Sequence, residues 1–142
     1  MAACLWRLNH RFQRQVIGAE PYVLRRYAMS VEAGERVNLE EQKSVADALL
    51  TQKPGERNYP IVTGNVAGFV GVKDESMLKA MKLLLMEGKI LAEPSSCIGI
   101  GAALQGELQK WNVKKSDKVC FVVSGGNVGL DQIKKLEEVE LE

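Results

Sequence analysis

The chain has 142 residues, of which 46% are hydrophobic and 26% are charged, and its formal net charge is +1. This length fits a single domain with a substantial core, and the nearly balanced charge argues against a nucleic-acid partner or an acidic membrane surface. No apolar run approaches the roughly 20 residues that a membrane helix needs, so we expect no membrane span.

The cysteines and the histidine do not form a metal-binding pattern. Cys4, Cys97 and Cys120 each lie in an apolar segment, and no pair has C-x-x-C spacing. An odd number of cysteines placed in this way favours reduced, buried thiols in a reducing compartment. His10 is the single histidine and lies in a basic segment, so we expect it at the surface and not in catalysis.

The first 19 residues are basic and have two interpretations. They contain Arg7, Arg11 and Arg14 but no acidic residue, which resembles a mitochondrial transit peptide. The alternative is an amphipathic helix of the domain over residues 1–12. We favour the helix because a strand is predicted almost at once, at residues 15–19. A cytoplasmic location is therefore expected, with a mitochondrial one as the weaker alternative.

Strand-like and helix-like segments alternate along the chain. In chain order they are a strand at 16–19, a helix at 22–33, a brief extended piece at 37–39, a segment at 44–50 that fits either a strand or a helix, an exposed loop at 51–58, a short helix at 59–65, a strand at 69–72, a helix at 74–87, an extended segment at 90–93, a helix from 94 to about 111, a strand at 119–123 and a helix from 130 to about 139. This order predicts one α/β domain over residues 1–142, a three-layer sandwich with a mainly parallel sheet.

Proline, glycine and aspartate set several of these boundaries. Pro21 cannot continue a central strand. Gly34 is expected to end the first helix, while Asp74 is the N-cap candidate of the helix at 74–87. Gly99 and Gly101 lie inside a predicted helix, where each costs about 1 kcal/mol relative to alanine. Something bulky therefore approaches them closely, and tight helix packing and a cofactor are equally good explanations.

The segment 119–123 runs directly into a serine and two glycines. Five apolar residues flanked by a lysine and glycines are typical of a strand that is buried on both faces. Ligands of α/β sheets bind just beyond the carboxyl ends of the strands. Ser124 would lie at such an end, and Gly125 and Gly126 would let the backbone approach a ligand. The alternative is that Ser-Gly-Gly is only a turn.

The segment 124–128 resembles the Ser-Gly-Gly-Asn-Val signature of fold-type II pyridoxal-phosphate enzymes, in particular the serine/threonine dehydratases and serine racemase. Three more segments resemble that family in the same order: Ile-Gly-Ala-Glu-Pro at 17–21, Ala-Asp-Ala at 46–48 and Leu-Ala-Glu-Pro-Ser-Ser at 91–96. Four landmarks in order are far more specific than any one of them. The resemblance covers essentially the whole chain and implies the fold of the family's large cofactor domain.

The resemblance implies a cofactor, pyridoxal 5'-phosphate, and residues that surround it. Ser124 would hydrogen-bond the pyridine nitrogen, and its neutral hydroxyl suits elimination of a β-hydroxyl group. Gly125 and Asn127 would shape the pocket wall. Glu93 would lie near the cofactor ring, and Ala48 would stand beside the cofactor where the family has a glycine.

The resemblance is to the C-terminal part of the enzyme. The family's covalent lysine, its Ser-x-Gly-Asn loop and its tetraglycine phosphate loop belong to an N-terminal stretch without a counterpart in this sequence. We therefore expect the chain alone to be inactive and to have no catalytic residue. Completed by an N-terminal half, it would release a keto acid and ammonia from L-threonine or L-serine, and racemase activity is an alternative. A second copy of this chain, in a homo-oligomer, is the alternative partner.

Two other hypotheses compete with the interpretation that the chain is part of an enzyme. The chain could be a non-catalytic half-protein or split subunit that binds a partner, because covalent cofactor attachment needs the lysine. A weaker reading is a mononucleotide-binding domain that uses the turn at 124–127 for phosphate. A metal is not expected, because relatives with a cation site place an acid six residues after Glu20, where this chain has Arg26. A guanidinium cannot ligate a cation and would pair with Glu20 instead.

Overall fold

The computed structural model describes residues 15–141. The helix predicted over residues 1–12 lies outside that range, as do Cys4 and His10. The described residues form two strands and five α-helices: β1 (Ile17–Pro21), α1 (Arg26–Ala33), α2 (Asn58–Thr63), β2 (Gly68–Val72), α3 (Asp74–Met86), α4 (Ile98–Leu104) and α5 (Leu130–Lys134). Short 3-10 turns occur at Asp47–Leu49, Pro94–Ser96 and Glu107–Trp111. No helix within the described range is long and apolar enough to cross a membrane.

The two strands are parallel, as the sequence predicted. They pair from Ile17 opposite Gly68 to Pro21 opposite Val72. A parallel pair needs a long crossover connection, and residues 22–67 with α1 and α2 supply it. The backbone N–H of Tyr22 continues the ladder by donating to the Val72 carbonyl oxygen at 2.8 Å.

Helices lie on both faces of the sheet and give the predicted three layers. Alternate residues of a strand face opposite sides. Val70 and Val72 face a cluster that includes Met77 of α3 and Ala102 of α4. On the other face, the Phe69 ring stacks on Tyr27 of α1, with ring centroids 5.6 Å apart. The α/β fold class is therefore confirmed.

Helix α3 joins the two clusters of the core. Its buried residues Met77, Ala80 and Met81 lie three and four positions apart, so they share one helical face. Complete burial of a methionine side chain contributes about 1.5–3 kcal/mol. The first cluster contains Ala46, Val70, Val72, Met77 and Ala102. The second contains Ala80, Met81, Ala92, Cys97 and Leu136.

The predicted start of α1 and the predicted N-cap of α3 are wrong, and in both places a carboxylate binds a partner elsewhere in the chain. Helix α1 begins at Arg26 and not at residue 22, although Gly34 ends it as predicted, with φ of 73°. Asp74 is the first residue of α3 and not its N-cap. Its carboxylate instead accepts hydrogen bonds from the Ser44 hydroxyl at 2.5 Å and the Val45 amide at 3.0 Å. This ties the segment before the 47–49 turn to α3.

The long helix predicted from residue 94 to 111 is divided into the 3-10 turn at 94–96, α4 and the turn at 107–111. Gly106 has φ of 82°, which ends α4. The glycines inside α4 serve packing. A Cβ on Gly99 would lie 3.3 Å from the Phe121 ring, and one on Gly101 would lie 3.0 Å from the Ser76 carbonyl oxygen. The packing explanation therefore accounts for both.

The strand predicted at residues 119–123 is wrong for the described structure. The segment is outside the sheet, and the exposed fractions are 45% for Val119 and 70% for Val122. A strand needs a neighbour for its backbone groups, and the paired strands among residues 15–141 are β1 and β2 alone. The segment at 44–50 forms the 3-10 turn at 47–49, and the last helix ends at Lys134, before residue 139.

Candidate functional site

Two hydrogen bonds join the Glu-Pro-Ser-Ser segment to the Ser-Gly-Gly segment. The Glu93 N–H donates to the Gly125 carbonyl oxygen at 3.0 Å. The Gly125 N–H donates to the Ser96 hydroxyl oxygen at 2.7 Å. Because one residue uses both its backbone groups in these bonds, Gly125 has a fixed position beside Glu93.

A side chain at position 125 would collide with the Glu93 carboxylate. A Cβ built on Gly125 would lie 2.5 Å from Glu93 Oε1 and 3.0 Å from Oε2. Ordinary contacts between such atoms are about 3.5–4.0 Å. The glycine therefore allows the Glu93 carboxylate to lie directly against the backbone of the Ser-Gly-Gly segment. The two landmarks form one site.

Ser124 and Asn127 flank this contact and have side chains available to a ligand. Both residues are exposed. Neither the Ser124 hydroxyl nor the Asn127 amide makes a hydrogen bond to any residue in the described range. A hydroxyl that is unpaired in the described part of the chain and lies next to a fixed glycine can hydrogen-bond a ring nitrogen.

Ala48 lies on a neighbouring turn. It is exposed in the 3-10 turn at 47–49, and that turn packs against the turn at Pro94–Ser96. The Asp47 carboxylate accepts the Ala48 N–H at 2.8 Å, which stabilises the turn locally. The structure therefore brings Glu93 and Gly125 into contact, with Ser124 and Asn127 beside them and Ala48 on the adjacent turn.

Two serines next to the site are not among the site residues predicted from the sequence. Ser96 supplies the hydroxyl that accepts the Gly125 N–H. Ser95 is 7% exposed, and its hydroxyl is buried without a hydrogen-bond partner among the described residues. Buried hydroxyls are usually paired. Because the two serines follow Pro94 directly, the sequence pattern predicts only small residues at the start of a helix.

Glu20 lies elsewhere and caps a helix. The side chain is 4% exposed, and its carboxylate accepts the N–H groups of Tyr27 at 2.9 Å and Ala28 at 3.0 Å. These are donors of the first turn of α1, which have no partner within the helix. Burial raises the pKa of Glu20, while the two hydrogen bonds and the nearby positive charge of Arg26 lower it by less.

The predicted ion pair between Arg26 and Glu20 is wrong within the described residues. The Arg26 guanidinium instead donates to the Leu49 carbonyl oxygen at 2.7 Å, and its charge acts on Glu20 only through space. Arg26 thereby links α1 to the turn that carries Ala48. Residues 15–141 contain no group of three or more His, Cys, Asp or Glu side chains placed to hold a metal.

A cavity of about 180 Å³ lies near Glu20, between the sheet and α1. Its walls include Gly18, Tyr27, Asn58 and Phe69, so it is mainly apolar and distinct from the group around Glu93. The group around Glu93 is open on its Ser124 side, because the neighbouring residues Val123 and Gly126 are also exposed.

The comparisons with known proteins agree on one family. A family model described as pyridoxal-phosphate dependent enzyme matches residues 1–125. The L-threo-3-hydroxyaspartate ammonia-lyase of Saccharomyces cerevisiae is 31% identical over 120 residues, which cover 82% of this chain and 34% of that protein. The serine racemase of Oryza sativa subsp. indica is 34% identical over 119 residues, which likewise cover 82% of this chain and 34% of the relative.

A solved structure shows the same fold. The threonine deaminase of T.th. superposes with a TM-score of 0.82 at 27% identity, over 91% of this chain and 42% of that one. The chain thus spans about a third of the length of the two relatives and less than half of the solved chain.

The residues of the site fit one side of pyridoxal phosphate. The Ser124 hydroxyl is exposed and unpaired within residues 15–141, so it can hydrogen-bond a ring nitrogen, and the Glu93 carboxylate lies beside it against the Gly125 backbone. The buried Ser95 hydroxyl also lacks a partner in the described part of the chain. Taken with the family match over residues 1–125, this fit shows that the chain belongs to the pyridoxal-phosphate dependent enzymes, whose cofactor is pyridoxal phosphate.

Proposed function

We propose that the chain is the C-terminal part of the cofactor domain of an ammonia-lyase that converts L-threonine or L-serine to a keto acid and ammonia. The observation that carries the proposal is the contact between Glu93 and Gly125, because it joins two separate landmarks of the family beside a Ser124 hydroxyl that is unpaired among residues 15–141. Ammonia-lyases among the relatives support this reaction class.

The roles of the residues follow from their positions. Pyridoxal phosphate, when bound, supplies an electron sink for the charge that develops on the substrate's α-carbon. The Ser124 hydroxyl orients the ring by a hydrogen bond to its nitrogen and, being neutral, does not fix a positive charge there. The Glu93 carboxylate, held against Gly125, lines the ring edge. Asn127 and Ala48 form the adjoining wall.

The covalent lysine and the phosphate loop are assigned to the part of the family fold that this chain does not match. We therefore expect the isolated chain to bind pyridoxal phosphate weakly and to have no turnover. Serine racemase activity is a second candidate, because the rice relative is a serine racemase and is 34% identical. A non-catalytic half-protein, which would bind the cofactor without turnover, is a third.

The test uses a fused chain, in which this sequence replaces the matched portion of the T.th. threonine deaminase. Cofactor binding is followed by the absorbance of bound pyridoxal phosphate, and turnover by keto-acid release and by D-serine formation from L-serine. Keto acid supports the ammonia-lyase, and D-serine alone supports the racemase. A fused chain that binds cofactor but turns over neither substrate supports the non-catalytic reading, and one that binds none contradicts the proposed site.

A Ser124→Ala change tests the ring contact within the fused chain. One net hydrogen bond is worth about 1 kcal/mol, so cofactor binding should weaken by about fivefold. The matched control is Ser116→Ala, which removes another exposed hydroxyl earlier in the chain and should change nothing. Equal effects of the two changes would refute the role of Ser124.

A further inference from the structure

Within residues 15–141, Ser124 makes no hydrogen bond that would hold it at the site. No backbone N–H or C=O between residues 118 and 124 is bonded to another described residue, and the Ser124 hydroxyl is equally unpaired there. Gly125, the next residue, uses both of its backbone groups. The position of Ser124 therefore depends on the bonds that Gly125 makes.

The bond from Gly125 to Ser96 acts directly on the backbone of Ser124. The Gly125 N–H belongs to the planar peptide unit that begins at the Ser124 Cα atom. Because the Ser96 hydroxyl oxygen accepts this N–H at 2.7 Å, it fixes the orientation of the whole unit. The bond from the Glu93 N–H to the Gly125 carbonyl oxygen holds the following peptide unit. Rotations about the bonds of Ser124 itself are then the freedom that remains to its hydroxyl.

Ser96 is itself held by the core. It is 6% exposed and lies between Pro94 and Cys97, which are both fully buried. The carbonyl oxygen of Glu93 accepts the Ser96 N–H at 2.9 Å and the Cys97 N–H at 3.2 Å. Cys97 belongs to the second core cluster. Because this turn is already ordered by the core, the bond from Ser96 to Gly125 costs little further conformational entropy.

Gly125 needs such a restraint more than another residue would. Glycine has no Cβ and the widest range of backbone conformations. A side chain is excluded at this position, because its Cβ would lie 2.5 Å from Glu93 Oε1. The contact that requires glycine therefore also leaves the backbone flexible there, and the Ser96 hydroxyl restricts it.

We propose that Ser96 is a positioning residue, which holds the Ser124–Gly125 peptide unit where the Ser124 hydroxyl meets the ring nitrogen of pyridoxal phosphate. In this role Ser96 acts through Ser124 and needs no contact of its own with the cofactor. The inference rests on the proposed function. The bond between Ser96 and Gly125 can be measured without any cofactor, so the two proposals can fail separately.

Hydrogen exchange of the isolated chain, followed by nuclear magnetic resonance, tests the bond. Ser96→Ala removes the acceptor and should speed exchange of the Gly125 amide by about fivefold, the factor that corresponds to one net hydrogen bond. Ser96→Thr keeps a hydroxyl and should preserve slow exchange. Ser95→Ala is the matched control for exchange, because Ser95 is buried on the same turn, at 7% exposed, and its hydroxyl has no partner within the described residues.

Three results of the exchange experiment would overturn the proposal. The first is unchanged exchange of the Gly125 amide in Ser96→Ala. The second is equal acceleration in Ser96→Ala and Ser95→Ala, which would indicate a general loosening of the turn. The third is fast exchange in a Ser96→Thr chain whose melting temperature shows that it is folded.

A double-mutant cycle in the fused chain tests whether Ser96 acts through Ser124. Ser96→Ala alone should weaken pyridoxal-phosphate binding by up to about fivefold, as Ser124→Ala does. In the Ser124→Ala background, Ser96→Ala should change binding by less than about twofold, because the group that it positions is gone. An effect of Ser96→Ala that is the same in both backgrounds would show a role in general packing and overturn the proposal.

Cofactor absorbance distinguishes this inference from the proposed function. If Ser124→Ala weakens pyridoxal-phosphate binding and Ser96→Ala does not, the positioning role is rejected and the proposed function stays. If the fused chain binds no pyridoxal phosphate, although Ser96→Ala speeds exchange of the Gly125 amide in the isolated chain, the proposed function is rejected, and the positioning role is rejected with it.

Discussion

Replacing Gly125 by alanine should disturb the site more than the stability of the fold. The new Cβ would lie 2.5 Å from Glu93 Oε1, whereas ordinary carbon contacts are about 3.5 Å or longer. Oε1 is at the far end of a flexible side chain, so the carboxylate can rotate away by roughly 1 Å at a cost of about 0.5–1.5 kcal/mol. Glu93 would then no longer line the site.

If the backbone moves instead of the Glu93 side chain, the loss of folding stability is larger. If the backbone moves instead, the bonds from Glu93 N–H to Gly125 oxygen and from Gly125 N–H to Ser96 Oγ are both lost. Each is worth about 1 kcal/mol, so the free energy of unfolding would fall by about 2 kcal/mol. Since about 1 kcal/mol lowers the melting temperature of a chain of this size by about 2–4 °C, thermal unfolding followed by circular dichroism separates the two responses.

A double-mutant cycle tests whether the effect of Gly125→Ala comes from a collision with the Glu93 side chain. Glu93→Ala removes the colliding atoms, so Gly125→Ala should have less effect on the melting temperature in that background than in the native chain. Gly55→Ala is the control, since its Cβ would have nearest neighbours at 3.6 Å or beyond. In the fused chain, Gly125→Ala should weaken pyridoxal-phosphate binding several-fold. An unfolding effect that is the same with and without the Glu93 side chain would refute the collision.

Two further predictions concern titration and thiol chemistry. Burial outweighs hydrogen bonding in raising the pKa of Glu20 above 4.5, so the folded chain holds this proton more tightly than the unfolded chain. The contribution of Glu20 to the free energy of unfolding is therefore greatest below pH 4.5 and is lost as the pH rises through the raised pKa. Glu20→Gln should flatten this part of the profile of unfolding free energy against pH, measured with a denaturant. An unchanged slope would contradict the assignment. Burial, followed by the Glu93 charge, raises the pKa of Cys97 to about 11, so iodoacetamide at about pH 8 should label exposed Cys120 long before Cys97, with mass spectrometry locating the label.

Local sequence patterns predicted the secondary-structure elements that depend on contacts between residues close in the chain. The Phe-Val-Gly-Val segment at 69–72 predicted β2, and the spacing of Met77 and Met81 predicted α3. The start of α1 was not predictable in this way, because Glu20 caps it from the end of a strand seven residues before Tyr27. A carboxylate that closes a strand–helix connection leaves no periodic signal. Gly106 also divides the helix predicted at 94–111 through its left-handed backbone, which its sequence context alone did not indicate.

In the candidate site, too, the sequence predicted the local features but not the contact between distant residues. The family landmarks located Glu93 and Gly125, but the hydrogen bond from Gly125 to Ser96 joins residues 29 positions apart. No spacing rule relates positions so distant. The sequence could indicate that small residues gather after Pro94, yet it could not separate Ser96, which accepts that bond, from Ser95, whose hydroxyl is unpaired among the described residues.

The segment 119–123 shows why a pattern can be informative even where the predicted structure is wrong. Its five apolar residues are typical of a strand buried on both faces, yet Val122 is 70% exposed. An apolar pattern reflects the burial for which a sequence is suited, and that burial can involve residues from outside the segment's own chain region. A segment held at Gly125 and Phe121, with its other groups unpaired within residues 15–141, is the result expected when the neighbouring strands come from elsewhere in the fold. The mismatch between the apolar pattern and the exposure of Val122 therefore indicates a burial that residues 15–141 alone do not supply.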